Sequence, residues 1–99
     1  MIYNFGAMQE KANELRAVLP GLIENGEWNE IRAIARISPM IWEGHKADSY
    51  DQDVLQACGL QDARLAMELP NTIERAIQQM YEADQMEAER IRNMFEIFY

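Results

Sequence analysis

Trp42-Glu43-Gly44 stands near the middle of a chain that is otherwise almost continuously helix-forming. A bulky aromatic residue and a glycine between two long amphipathic segments describe a helical hairpin with a specialised turn. In the plainer reading, Trp42 is simply hydrophobic and Gly44 supplies a left-handed cap at a helix end.

The first segment begins near Phe5. Met8, Ala12, Leu15, Leu19 and Leu22 recur at spacings of four and three, which is one helix face. Pro20-Gly21 and Asn25-Gly26 interrupt it. Proline removes a backbone hydrogen bond and clashes with the preceding turn, costing about 3 kcal/mol inside a helix. A kink or break is therefore expected between residues 20 and 26. Trp28, Ile31, Ala35, Ser38 and Ile41 resume the spacing in a shifted phase, and the arm is expected to end at Ser38-Pro39. The turn then covers 39–48, with Asp48 or Ser49 available to cap the next helix.

The second segment shows Leu55, Cys58, Leu65 and Leu69 on one face. Pro70 is expected to interrupt it, with Asn71 and Glu74 capping a fresh start. From there Ile73, Ile77, Tyr81, Asp84, Ala88, Ile91, Phe95 and Phe98 step by four and three, a coiled-coil-like seam. Strand-like alternation is absent, so the expected class is all-α: a single antiparallel helix-turn-helix hairpin over 1–99. Its arms run from about 5 to 38 and from about 49 to 98. Arms of about 45 residues would reach about 65 Å at 1.5 Å per residue.

Ninety-nine residues make one domain, 48% hydrophobic, which argues against disorder. A lone hairpin buries one stripe per arm, so a second hairpin is expected to complete a four-helix bundle. It would cover Met40, Ile34, Ile37, Met80, Met94 and Ile97. Leu15, Leu19, Ile31, Ile34, Leu65, Leu69, Ile77, Ile91 and Phe95 are the candidate hairpin or dimer interface. The seven methionines suit an adaptable helix interface. The apolar tail Ile97-Phe98-Tyr99 is expected to dock on a partner or on the first arm.

The net charge of −8 is uneven. Residues 1–49 carry five Lys/Arg against seven Asp/Glu, and residues 50–99 carry four against ten. The acidic second arm disfavours nucleic acid and anionic membranes as partners. No apolar run is long enough to span a membrane. The start, Met-Ile-Tyr-Asn-Phe-Gly, has no basic region followed by an apolar one. The chain is expected to fold in the cytoplasm and to use no cleavable leader.

Nothing in the pattern points to catalysis. His45 is the only histidine and has no paired ligand, so no metal site is expected. Ser38 and Ser49 lack a neighbouring base–acid system. The five glycines are scattered and form no phosphate loop, and no cofactor is expected. Cys58 reads as a small core residue, and Trp28 as packing against the second arm.

Taken in order along the chain, several weak signals accumulate. Asn4-Phe5-Gly6-Ala7 opens the first helix, Trp42-Glu43-Gly44 sits in the centre, Tyr81-Glu82-Ala83-Asp84 lies late in the second arm, and Met94-Phe95 is close to the end. In this order, and over essentially its whole length, the chain resembles the WXG, or ESAT-like (early secreted antigenic target), family of small type VII secretion substrates. The resemblance implies a non-enzymatic, virulence-associated secreted protein, exported folded as a homo- or heterodimer with another small helical hairpin protein. It also implies a secretion ATPase as partner. Trp42 and Gly44 at the tip would form a composite export signal with Tyr81 and Asp84. In an extended hairpin those two pairs lie at opposite ends, so an antiparallel partner would have to bring them together. The chain departs from the family's usual Tyr-x-x-x-acid pattern: Gln85 stands at plus four, and the acid comes at plus three, Asp84. A cytosolic chaperone or adaptor that pairs with a larger type VII toxin is the alternative. An ordinary helical assembly protein with a chance Trp-Glu-Gly is the third.

Overall fold

The computed structural model describes residues 2–98; for Ile2, Ile97 and Phe98 it describes the backbone. The protein is all-α in its main architecture, with four helices and one short strand pair among the described residues. In chain order these are β1 (Ile2–Tyr3), α1 (Phe5–Glu24), α2 (Trp28–Ala35), β2 (Trp42–Glu43), α3 (His45–Leu60) and α4 (Ala63–Phe98).

Helix α1 starts where Asn4 caps it: the side-chain oxygen accepts from the Ala7 N–H at 3.0 Å. It runs through Pro20 without a break. Leu15 and Leu19 before the proline, and Leu22 and Ile23 after it, all pack on the core, so burial holds both sides in one helix. The stop comes at Asn25-Gly26. Gly26 takes φ +68, the Gly26 N–H donates to Ile23 O at 3.0 Å, and the Glu27 N–H donates to Leu22 O at 2.9 Å. Those two bonds and the left-handed glycine satisfy the last carbonyls. The first arm is thus divided at 25–27, and α2 ends at Ala35, short of the expected Ser38-Pro39.

The second arm is divided as well, at a place the sequence did not mark. Gln61 is left-handed at φ 51, with Gln61 N–H to Cys58 O at 3.2 Å and Asp62 N–H to Ala57 O at 3.0 Å. Asp62 then caps α4, its Oδ1 accepting from Arg64 N–H at 2.9 Å and Leu65 N–H at 3.2 Å. Pro70, expected to break the arm, lies buried inside α4. The capping pair expected at Asn71 and Glu74 has another use. Arg16 of α1 donates to Asn71 Oδ1 at 2.8 Å and to Glu74 Oε2 at 2.7 Å, and Gln9 reaches Glu74 at 2.6 Å. Arg16 and Gln9 hold the Glu74 carboxyl down at about 2. The stabilisation linked to this group is therefore present above the ordinary carboxylate range and fades as pH falls towards 2.

The division of both arms lets one chain close on itself. Helix α4 packs on α1 and α3, and α2 packs on α1 and α3. Phe5 meets Tyr81, Gln9 meets Glu74 and Arg16 meets Asn71, so α1 and α4 run antiparallel. The shared core holds Met8, Leu15 and Leu19 of α1, Ile31 of α2, Tyr50 and Val54 of α3, and Leu69, Ile73 and Met80 of α4. Four helices around one core, expected from two chains, are supplied here by one. Tyr50 is buried, and its hydroxyl donates to Ala35 O at 2.6 Å, so no buried polar cost is left open.

The molecule measures 62 × 22 × 21 Å. The long dimension comes from α4, whose 36 residues exceed the 20 of α1 and the 16 of α3. Residues 81–96 are exposed throughout. Among the described residues no helix is long and apolar enough to cross a membrane. The docking expected for Ile97-Phe98-Tyr99 concerns side chains outside the described residues.

Left-handed backbone costs a residue with a Cβ about 1 kcal/mol. Gln61→Gly is therefore expected to stabilise the protein by about 0.5–1 kcal/mol, read from urea unfolding. A neutral or destabilising result would show that the Gln61 side chain, rather than its conformation, matters at the α3–α4 joint.

Candidate interaction site at the Trp42 corner

Between α2 and α3 the chain turns on Ser38. Its carbonyl accepts from Ile41 N–H at 2.9 Å and Trp42 N–H at 3.1 Å, and its hydroxyl oxygen accepts from Met40 N–H at 3.2 Å. Residues 42–43 then pair with the N-terminus rather than forming an open loop. Tyr3 lies opposite Trp42 and Ile2 opposite Glu43, antiparallel, and the Asn4 N–H donates to Ile41 O at 2.7 Å. The expected turn over 39–48 is confined to 39–41 and gives way to this strand pair, and α3 begins at His45, ahead of the expected caps Asp48 and Ser49.

Trp42 is 3% exposed, and its ring lies 5.6 Å from that of Tyr50. It is a core residue that fixes the corner, and its side chain is not displayed at a tip. Gly44 switches the chain from strand to helix. Its φ of 129 and ψ of −170 belong to a region that essentially only glycine occupies, and its carbonyl accepts from Asp48 N–H at 3.0 Å. Both residues of the Trp-x-Gly motif thus have a conformational reason for their identity.

Tyr81 and Asp84 come to the same corner. Tyr3 stacks on Phe5 at 4.8 Å, and Phe5 meets the Tyr81 ring edge-on at 6.4 Å. The Tyr3 hydroxyl donates to Asp84 Oδ2 at 2.6 Å, and that bond is the main cause of the rise in the Tyr3 phenol pKa. Trp42 and Gly44 therefore sit at the same end of the molecule as Tyr81 and Asp84, within one chain. The sequence placed the two pairs at opposite ends because it carried no sign of β1 as a bridge. Tyr3 and Tyr50 are the residues that sequence reasoning missed. Asn4 as a cap before Phe5 was the available hint that the N-terminus is tied down.

The candidate interface residues divide into two groups. Leu15, Leu19, Ile31 and Leu69 are fully buried in this chain's own core, and Ile34 and Ile77 pack at its edge. Leu65, Ile91 and Phe95 are exposed. Beside the corner an open groove between α3 and α4 is lined by His45, Lys46, Arg75 and Gln79. Lys46 Nζ donates to Gln79 Oε1 at 2.8 Å and spans it. Among the described residues no His, Cys, Asp and Glu side chains are grouped to hold a metal ion. Burial pushes the Cys58 thiol up, away from a reactive thiolate.

No family model, curated protein or solved structure matches the chain.

Gly44→Ala is expected to cost about 1–3 kcal/mol, because alanine is strained at this φ and ψ. Urea unfolding checks it. An unchanged midpoint would show that the corner adopts another backbone with no penalty.

Proposed function

We propose that the protein acts by recognition rather than catalysis, as a small helical substrate of a type VII (ESX-like) secretion system. The single observation that carries this reading is the uncovered end of α4, rooted at Tyr81 and Asp84 beside the Trp42 corner. A helix face that ends free of its own bundle suits a protein partner. Tyr81 is 54% exposed, so its ring is available for docking while Phe5 fixes its direction. The rigid corner supports a composite signal carried by one chain. In it Trp42 and Gly44 act by positioning, and Tyr81 and Asp84 act by contact. Export would proceed with the protein folded, as a homodimer or with a second small helical protein, and the secretion ATPase would read the signal.

One observation favours the adaptor reading. Gln85 occupies the plus-four position, and the carboxylate of Asp84 is already engaged by Tyr3. A chaperone that borrows the signal of a larger secreted partner needs no free acid of its own.

The test is fractionation of culture supernatant and cell pellet in the native host, with and without the secretion ATPase. Tyr81→Ala and Asp84→Asn alter exposed side chains and should leave the bundle folded by circular dichroism. ATPase-dependent export of the wild type, reduced at least tenfold by Tyr81→Ala, is the expected result. Retention of the protein while a co-purifying larger protein is exported would establish the adaptor instead. Retention of both would remove the secretion role.

A further inference from the structure

The seam of α4 changes surroundings at Tyr81. Up to Ile77 it faces α1 and the core, and Phe5 at the start of α1 makes the last ring contact. Beyond that point the same line of residues continues as Asp84, Ala88, Ile91 and Phe95, all exposed. Ile91 is 48% and Phe95 57% exposed, and Met94 on the flank is 53%. Asp84 is still bonded to Tyr3, and beyond it residues 85–98 project about 21 Å past the bundle at 1.5 Å per residue. A helix of this length is marginal in water without tertiary packing.

Charge along this segment is uneven. Glu82, Asp84, Glu87 and Glu89 come first with no base among them, Arg90 and Arg92 follow, and Glu96 lies beyond them. Among the described residues neither arginine makes an ion pair. When the segment is reversed against itself, its acidic stretch 82–89 meets Arg90 and Arg92.

Resting on the reading of this protein as one that works through protein contacts, we infer that residues 81–98 pair antiparallel with the same segment of a second copy. In that register Ala88 packs against Ile91 of the second copy, and Asp84 lies across from Phe95 at the edge of the overlap, where Tyr3 holds its carboxylate. Glu87 then comes diagonal to Arg90 of the second copy, and Arg92 reaches the Gln85–Glu89 side; the two-fold axis repeats each contact. The overlap takes in the whole projection, so the tip of each α4 reaches the corner of the other where Tyr3 bonds Asp84.

Parallel pairing also brings Glu87 near Arg92, but the seam points to the side of α4 on which the bundle lies. Two parallel copies would place both bundles in one volume and set Asp84 against Asp84. The antiparallel contact is short, near the lower end of the roughly 1,200–2,000 Å2 typical of stable pairs, so dissociation at about micromolar concentration is expected.

The test is sedimentation of the full chain over a concentration series. The wild type should pass from monomer to dimer. Ile91→Glu should remain monomeric, with the helicity and unfolding midpoint of the dilute, monomeric wild type, since Ile91 lies outside the core. Glu87→Arg should weaken the dimer about tenfold, and Glu87→Arg with Arg90→Glu should restore it. Orientation is read in a Cys58→Ser background by mixing Ala83→Cys chains with Met94→Cys chains and adding a short bis-maleimide. Antiparallel pairing cross-links the mixture and neither chain alone. A wild type that is monomeric throughout, a dimer indifferent to Ile91→Glu, or cross-linking within either single-cysteine sample would overturn the proposal. None of these readouts depends on secretion, so the inference fails or stands separately from the export role.

Discussion

The structure depends on a mismatch of lengths. Helix α4 has 36 residues, while its neighbours α1 and α3 have 20 and 16. A helix can bury its apolar stripe only where another element lies against it. The first half of α4 is therefore a core helix, with Leu69, Ile73 and Met80 buried, and the rest is exposed while its apolar spacing continues. The bundle is completed within one chain, yet the sequence of α4 keeps asking for a neighbour after α1 has run out.

The corner built on Trp42 fixes where that change occurs. Trp42 packs on Tyr50, Tyr50 is bonded to the end of α2, and Tyr3 pairs with Trp42 while bonding Asp84. This chain of contacts links α2, α3, the N-terminus and α4 at one point. It makes Trp-Glu-Gly a structural joint first. Any signal that includes Tyr81 and Asp84 inherits its geometry from that joint, because Tyr3 and Phe5 hold those side chains in place.

Much of the helical content was legible. The spacing of Met8, Ala12, Leu15 and Leu19 named four residues that are fully buried, and Asn25-Gly26 marked a helix end. The errors have a common cause. Local chemistry was read where burial decided. Pro20 and Pro70 are helix breakers by propensity, but packing on both sides keeps each inside its helix. The joint at Gln61 was missed because a left-handed turn there is carried by a residue with no preference for it. With that joint unseen, two long arms and a second chain were the natural reading. Trp42, Gly44, Tyr81 and Asp84 are conspicuous in the sequence, but their meeting at one corner of a single chain is not. A two-residue strand pair has no periodicity to read.

In the proposed pair, the end of α4 is a helix held by association. Hydrogen exchange along α4, measured on the full chain at several concentrations, tests it most directly. Residues 69–80 should exchange slowly at every concentration, and protection of residues 85–96 should rise with concentration. Protection of residues 85–96 that is constant across concentrations, or absent at all of them, would contradict it.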